Sequence, residues 1–82
     1  MAEELKNQNQ INIELSEEIA EGEYANLAMI AHSSGEFVID FIRLMPGLPK
    51  AKVKSRIVIT PEHAKRLLVA LADNIQKFEA SF

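Results

Sequence analysis

The sequence contains no cysteine and no tryptophan, and these absences exclude several classes of small protein. Without cysteine the chain can form neither a disulfide nor a thiolate metal site, and it is compatible with a reducing compartment. No apolar run approaches the roughly 20 residues that a membrane-spanning helix needs. Residues 1–5 are acidic and polar where a secretory signal is basic and then apolar. We therefore expect a cytoplasmic protein that does not enter a membrane.

The chain is also short, with 82 residues, which is near the lower size limit for a single hydrophobic core. Such cores commonly supply only about 3–5 kcal/mol of stability, so small chains rely on disulfides, metals or partners. The hydrophobic fraction of 48% is ordinary for a globular domain. We predict a flexible tail over residues 1–9 and one domain over residues 10–82, and we expect oligomerisation to add buried area.

Four segments show the alternation of apolar and polar residues that is typical of β-strands. Residues 10–15 alternate and predict a half-buried first strand. Residues 24–44 predict two long strands joined by a tight turn at Ser34 and Gly35. The prolines of residues 45–49 end the second of these strands. Residues 51–60 alternate again and predict a fourth strand at the edge of the sheet.

A two-residue turn closed by Ser33 and Glu36 fixes the predicted register of the hairpin. On one face it pairs Ile30 with Ile39, Ala28 with Phe41, and His32 with Phe37. The opposite face is also apolar, apart from one aspartate. Its members are Leu27, Met29, Val38, Asp40, Ile42 and Leu44. A strand pair wetted on one side alternates apolar and polar residues, so both faces here need a cover. We predict that the second face is the interface of a homodimer.

The end of the chain predicts one long helix. Thr60 is a natural N-cap, Pro61 suits the first helical position, and Glu62 lies where the helix dipole favours an anion. The helix is expected to run to about Glu79, with an apolar stripe along one side. The stripe comprises Ala64, Leu67, Leu68, Leu71, Ile75 and Phe78. The predicted fold is therefore α+β: a four-stranded antiparallel meander followed by one long C-terminal helix that packs on one face.

The net charge of −3 conceals a separation of the two signs along the chain. Seven of the twelve acidic residues lie within residues 1–23, and five of the nine basic residues lie within residues 43–56. The basic group comprises Arg43, Lys50, Lys52, Lys54 and Arg56. The alternation predicts that Lys52, Lys54 and Arg56 project from the same side of the fourth strand. Such a stripe can hold the phosphates of a single-stranded nucleic acid. The alternative is a solvated edge, or a face that meets acidic residues 17–23, since the chain has few aromatic residues and is acidic overall.

A catalytic constellation is not expected. His32, Ser33, Asp40 and His63 are the residue types of a Ser/His/Asp site, but the predicted register places Asp40 and His32 on opposite faces. Two histidines far apart in sequence do not form a metal-binding pattern. We therefore predict no catalytic site, metal, cofactor or small-molecule substrate.

Asp40 needs a partner, because an unpaired charge among apolar residues is costly. We expect either an ion pair with Arg56 or Arg43, or a position at the seam between two subunits.

Several segments resemble a small bacterial and archaeal family that is catalogued as number 3467 among the domains of unknown function. They are residues 45–56 (MPGLPKAKVKSR), residues 60–67 (TPEHAKRL) continuing to residues 74–75, residues 22–26, and residues 32–33. The resemblance covers about residues 11–79, and it implies no activity and no role for any residue. The order of strands followed by a helix is also similar to single-stranded nucleic-acid-binding domains of the Whirly and Pur type, and loosely to the secretion chaperone SecB.

These observations lead to three hypotheses on function. The first is a non-enzymatic dimeric binding or adaptor module. The second is a single-stranded nucleic-acid-binding protein that uses the basic residues 50–56. The third is a SecB-like holdase, in which an apolar groove beside the hairpin receives unfolded chains.

Overall fold

The structure is a computed structural model that describes residues 11–82. The chain forms a short helix α1 (Glu17–Ala20), three strands β1 (Leu27–His32), β2 (Phe37–Arg43) and β3 (Lys52–Ile59), and a long helix α2 (Pro61–Ser81). The strands make one antiparallel sheet in the order β1-β2-β3. The α+β class and the antiparallel meander are thus confirmed. The predicted tail over residues 1–9 lies outside the described residues.

The register of the β1–β2 hairpin is the one that the sequence predicts. The Ser33 N–H donates to the Glu36 carbonyl at 2.9 Å and closes the turn. Ile30 faces Ile39, and the pairs Ala28–Phe41 and His32–Phe37 also form. Because both faces are apolar, the register is fixed by the two-residue turn and not by the hydrophobic pattern.

The predicted strand over residues 10–15 is not found among the described residues. Residues 11–15 contain a single isolated bridge at Asn12, and Gln10 lies outside the described part of the chain. Ile11 and Ile13 are about half exposed, at 52% and 48%. Alternation shows which side of a segment is apolar, but a strand also needs an edge to pair with, so its formation depends on context. The sheet over residues 11–82 therefore has three strands and not four.

Helix α2 begins as predicted. The Thr60 side chain accepts a hydrogen bond from the His63 N–H at 3.1 Å, and Pro61 occupies the first turn. The helix ends at Ser81, two residues beyond the predicted end, and the Phe82 N–H donates to the Phe78 carbonyl.

The prediction that this helix packs on one face of the sheet is wrong for the single chain. The strands contact one another extensively, whereas within residues 11–82 no comparable contact joins α2 to any strand. No residue of α2 is buried. Only Thr60 separates the end of β3 from the start of α2. Connections in which a helix folds back on a strand usually have about two to six residues, so this junction directs the helix away from its own sheet.

A β-bulge lies between β2 and β3. Phe41 pairs with Ser55 and Ile42 pairs with Val53, which leaves Lys54 as an extra residue on β3. Because directly paired residues share a face, the register assigns every strand residue except Lys54 to one of two faces. Face A comprises Leu27, Met29, Ala31, Val38, Asp40, Ile42, Val53, Arg56 and Val58. Face B comprises Ala28, Ile30, His32, Phe37, Ile39, Phe41, Arg43, Lys52, Ser55, Ile57 and Ile59.

Residues 11–82 build almost no core within the single chain. Among residues 11–82 the buried hydrophobic residues are Ile39 and Ile42, at 8% and 6% exposure. The accessible surface is 7643 Å², well above the roughly 4900 Å² expected for a compact monomer of 9.2 kDa. The radius of gyration is 15.6 Å, against about 12 Å for a compact chain of this length. Large apolar side chains, among them Ile30, Leu68 and Phe78 at 64%, 69% and 60% exposure, are open to solvent in the single chain.

Candidate interaction surfaces

An ion pair marks the centre of face A. The register sets Asp40 opposite Arg56, and the two side chains meet as a fork. The Arg56 Nε and Nη2 groups donate to the two carboxylate oxygens of Asp40 at 2.6 and 2.8 Å. The pair lines a shallow hollow of about 250 Å³ together with apolar side chains. The lining residues are Met29, Ile30, Ala31, Val38, Asp40 and Arg56.

The fork changes the acidity of both groups. The hydrogen bond from Arg56 lowers the pKa of Asp40 below its ordinary value, although partial burial acts in the opposite direction. The same hydrogen bond raises the pKa of Arg56. The Asp40 side chain is 17% exposed, whereas that of Arg56 is 64% exposed. Of the two partners that the sequence allows for Asp40, the structure selects Arg56.

The residues of the predicted dimer interface are largely on one surface. Five of the six lie on face A, namely Leu27, Met29, Val38, Asp40 and Ile42. Met29 is the most open of them, at 61% exposure, while Ile42 is already buried within the chain. Leu44 follows the end of β2 and is 47% exposed. That a second copy covers these residues stays a prediction.

Asn26 holds Leu44 in place, a role that the sequence analysis did not assign. Its side-chain oxygen accepts from the Leu44 N–H at 2.7 Å, and its side-chain nitrogen donates to the Leu44 carbonyl at 3.1 Å. The Asn26 N–H also donates to the Ile42 carbonyl. The Asn26 side chain thus takes the place of a backbone partner for Leu44, at the point where the hydrogen bonds between β1 and β2 end. The sequence could have indicated this role only through the position of Asn26, which directly precedes β1 and lies opposite the end of β2.

The bulge divides the predicted basic stripe. Arg56 lies on face A, while Lys52 lies opposite Arg43 on face B. The prediction that Lys52, Lys54 and Arg56 share one side of the strand is therefore wrong. An alternating sequence carries no sign of the extra residue at Lys54, which shifts the following residues to the other face.

Four of the five basic candidates nevertheless meet around one hollow of about 220 Å³. It is lined by Arg43, Met45, Leu48, Lys50, Lys52 and Lys54, a group that we call the basic pocket. A tight turn at Pro46 and Gly47 brings Met45 and Leu48 to this site. Gly47 has a φ of 84°, and the Leu48 N–H donates to the Met45 carbonyl at 3.4 Å. A positive φ at this position is typical of a type II turn and favours glycine.

The cations of the basic pocket are only partly neutralised. The Lys54 ammonium is 4.0 Å from a Glu23 carboxylate oxygen, so the acidic segment and the basic segment meet at one point. The Arg43 guanidinium lies over the Tyr24 ring at 5.9 Å. Within residues 11–82, neither Lys50 nor Lys52 has an ion-pair partner.

The candidate catalytic residues are kept apart. His32 lies on face B and stacks on Phe37, with ring centroids 5.4 Å apart, whereas Asp40 lies on face A. His63 is exposed in the first turn of α2. The part of the chain from residue 11 onward holds no cluster of three histidine, aspartate or glutamate side chains suited to a metal ion.

Two further apolar surfaces are open. The first is the stripe of α2, which we call the helix stripe and which comprises Ala64, Leu67, Leu68, Leu71, Ile75 and Phe78. Leu68 and Phe78 are 69% and 60% exposed. The second is face B, where α1 borders a hollow of about 480 Å³. This hollow, which we call the α1 groove, is lined by Glu18, Ile19, Gly22, Glu23, Ala25, Phe41, Ser55 and Ile57.

Comparison with known families decides the classification of the chain. The family described as a protein of unknown function, DUF3467, matches residues 1–82. The chain belongs to the DUF3467 family. The resemblance carried by residues 45–56 and 60–67 is thereby confirmed. No curated protein and no solved structure shows significant similarity to the chain.

Membership of the DUF3467 family assigns no activity to this chain. Face A offers apolar contacts around one oriented guanidinium, and the basic pocket offers cations beside two apolar side chains. Within the described residues, no helix combines the length and apolarity needed to cross a membrane.

Proposed function

We propose that this DUF3467 chain is a non-enzymatic binding module that acts as a homodimer in the cytoplasm. The observation that supports the proposal is the amount of apolar side-chain surface left open in one chain. Residues on face A, on face B and on α2 are exposed together, as illustrated by Met29 at 61%, Ile30 at 64% and Leu71 at 55%. Scattered exposed apolar residues are ordinary, but contiguous apolar surfaces of this extent mark interfaces.

The area involved suits a permanent interface. The chain exposes on the order of 2700 Å² more than a compact monomer of its mass. Stable interfaces bury about 1200–2000 Å² in total, and obligate homodimers bury roughly 2000–5000 Å². Counted over two copies the excess is on the order of 5400 Å², at the upper end of the range for obligate homodimers. The proposed dimer is therefore expected to have a large interface that covers most of the excess.

The mass in solution tests the dimer. We expect sedimentation or light scattering at micromolar concentration to give about 18 kDa, twice the chain mass of 9.2 kDa. If face A is the seam, Met29→Glu introduces an unpaired charge there and raises the dimer dissociation constant at least tenfold, whereas an unchanged constant places the seam on another surface. The matched control is Val69→Glu, because Val69 is 68% exposed and lies on the side of α2 away from the helix stripe. A wild-type mass of 9.2 kDa would contradict the homodimer.

The basic pocket favours a second candidate function, the binding of single-stranded nucleic acid. Four cations surround one hollow, and two of them have no acidic partner within residues 11–82. Phosphates bound there would displace counterions, so the affinity would fall steeply as salt rises.

Fluorescence anisotropy with labelled single-stranded DNA and RNA tests this candidate at low and near-physiological salt. We expect salt-sensitive binding that is lost in the Lys50→Ala/Lys52→Ala variant. The control is Lys65→Ala/Lys77→Ala, which removes the same charge from the polar side of α2. Flat titrations at both salt concentrations would eliminate nucleic acid as a ligand.

An aggregation assay with a denatured client distinguishes a SecB-like holdase from both of these candidates. A holdase suppresses the aggregation of a denatured client, and its activity is insensitive to the lysine substitutions in the basic pocket. An adaptor neither suppresses aggregation nor binds nucleic acid.

A further inference from the structure

The helix stripe of α2 needs a cover that residues 11–82 of the same chain do not supply. Leu67 and Ile75 are 40% and 46% exposed, and the other large residues of the stripe are exposed further. Isolated helices are marginal in water, and most helical stability in proteins comes from packing of an apolar side. A helix of 21 residues with an uncovered stripe is therefore incomplete without a second surface.

The sheet of the same chain is not that surface. Ile59 ends β3, and the first turn of α2 is fixed directly after it. Thr60 supplies the N-cap oxygen to His63, and its carbonyl accepts from the Ala64 N–H at 2.9 Å. Pro61 restricts the backbone at the same point. Because both sides of this junction are fixed and the connection has one residue, α2 is directed outward and does not fold back.

Face B is the surface that best complements the helix stripe. The charged strand residues of face B, Arg43 and Lys52, stand opposite each other at one end, and the middle of the face is uncharged. Two acidic residues, Glu18 and Glu23, also line the α1 groove, and Glu23 lies 4.0 Å from the Lys54 ammonium. The centre of face A holds the Asp40–Arg56 pair, and covering that pair with leucine side chains would cost desolvation energy. An uncharged stripe therefore fits face B better than face A.

The dimensions also agree. At 1.5 Å per residue, α2 is roughly 31 Å long, and the eight residues of β3 extend roughly 27 Å. The apolar side chains that line the α1 groove on face B include Ile19, which is 70% exposed, and Phe41 and Ile57 of the sheet. This groove offers a helix apolar contacts from both α1 and the sheet.

We propose that α2 of one copy lies on face B of a second copy, in the α1 groove, and that the partner helix does the same in return. This exchange rests on the proposed homodimer and specifies its interface. It covers the helix stripe and face B simultaneously, and it leaves face A and the basic pocket available for a ligand or for a further contact.

Cross-linking tests the exchange cleanly, because the natural chain has no cysteine. A full-length Leu71→Cys chain and a full-length Ile57→Cys chain are unfolded together, refolded as a mixture and treated with a short bismaleimide. We expect a covalent heterodimer between the two variants. Because each chain carries one cysteine, a product that contains both variants forms only between copies.

Two matched controls locate the contact. Val58→Cys replaces a residue of face A adjacent to Ile57, with 52% exposure against 44%. Val69→Cys replaces a residue on the polar side of α2. We expect the Leu71–Ile57 pair to exceed the Leu71–Val58 and Val69–Ile57 pairs at least tenfold in yield. Circular dichroism of each variant establishes that it is folded before it is cross-linked.

Other patterns would overturn the exchange. A dimeric mass with preferential Leu71–Val58 cross-links would place α2 on face A, and efficient Leu71–Leu71 cross-links would indicate that two helices pack on each other. Both results would reject the exchange and retain the homodimer. A monomeric mass for the wild-type chain would reject the homodimer and the exchange together.

A second measurement keeps the inference testable if Ile57→Cys fails to fold. A spin label on Leu71→Cys in unlabelled protein, mixed with methyl-labelled wild type, is expected to broaden the methyl signals of Ile57 and Ile30 more than that of Met29. Broadening that favours Met29 would reject the placement on face B.

Discussion

At the scale of single residues, the Asp40–Arg56 fork shows how an apolar sheet face accommodates a charge. The carboxylate is mostly covered, and two short hydrogen bonds from one guanidinium compensate for the lost water. A bidentate guanidinium also fixes geometry, so the fork holds β2 and β3 in register beyond the bulge. Lysine has no planar fork and would not reproduce this contact.

The fork predicts a specific pH dependence. The hydrogen bond from Arg56 holds the pKa of Asp40 in the folded chain below its ordinary value of about 3.9. The contribution of the pair to stability is therefore complete above that ordinary value and is lost as the pH falls through the lowered pKa. We expect the Asp40 carboxyl carbon to titrate at a lower pH in the wild type than in Arg56→Gln.

Chemical denaturation provides the complementary measurement. The difference in unfolding midpoint between the wild type and Arg56→Gln is expected to be largest near neutral pH and to shrink below pH of about 3.9. Asp40 titration curves that coincide in the two proteins would show that the fork does not persist in solution.

The residues also show what a sequence can specify about a site. The hairpin register follows from the position of the two-residue turn, and the apolar neighbours of Asp40 predict that it needs a partner without selecting Arg56 over Arg43. The bulge at Lys54 does not follow, since the alternation through Lys52, Lys54 and Arg56 looks regular in the sequence. Its consequence is that Arg56 serves Asp40 while the other basic residues gather around Met45 and Leu48.

At the scale of elements, the start of α2 depends on local chemistry, and this makes it predictable. Thr60→Ala removes the oxygen that accepts from the His63 N–H, and such losses typically cost about 1 kcal/mol. We expect the urea midpoint to fall accordingly, while Thr60→Ser, which retains the oxygen, stays near the wild type. Equal midpoints for the alanine and serine variants would mean that the cap does not stabilise the helix.

Two predictions were wrong: the packing of α2 on its own sheet, and the strand over residues 10–15. Both depend on neighbouring surfaces and not on the local sequence alone. Helical periodicity identifies the side of α2 that must be covered, but it does not identify the chain that covers it. In the same way, the alternation of Ile11, Ile13 and Leu15 identifies an apolar side without providing a sheet edge. Within residues 11–82, the stripe of α2 has no partner surface on the sheet of its own chain.

At the scale of the whole molecule, stability is expected to depend on protein concentration. If the interior forms mainly between copies, dilution favours the separated chains, and each tenfold dilution removes about 1.4 kcal/mol of apparent stability. For a dimer of this size, that change lowers Tm by roughly 3–6 °C. Thermal unfolding followed by circular dichroism over a hundredfold range of concentration measures this shift directly.

The same experiment distinguishes a dimer held by helix exchange on face B from a dimer whose interface is face A. In a dimer held by helix exchange, Leu68→Glu and Leu71→Glu abolish the concentration dependence, because they place a charge on the stripe that covers face B. Val69→Glu leaves it intact, since Val69 lies on the polar side of α2. A wild-type Tm that is constant across the range would mean that one chain is stable by itself. That result would be difficult to reconcile with a chain in which, among residues 11–82, Ile39 and Ile42 are the buried hydrophobic residues.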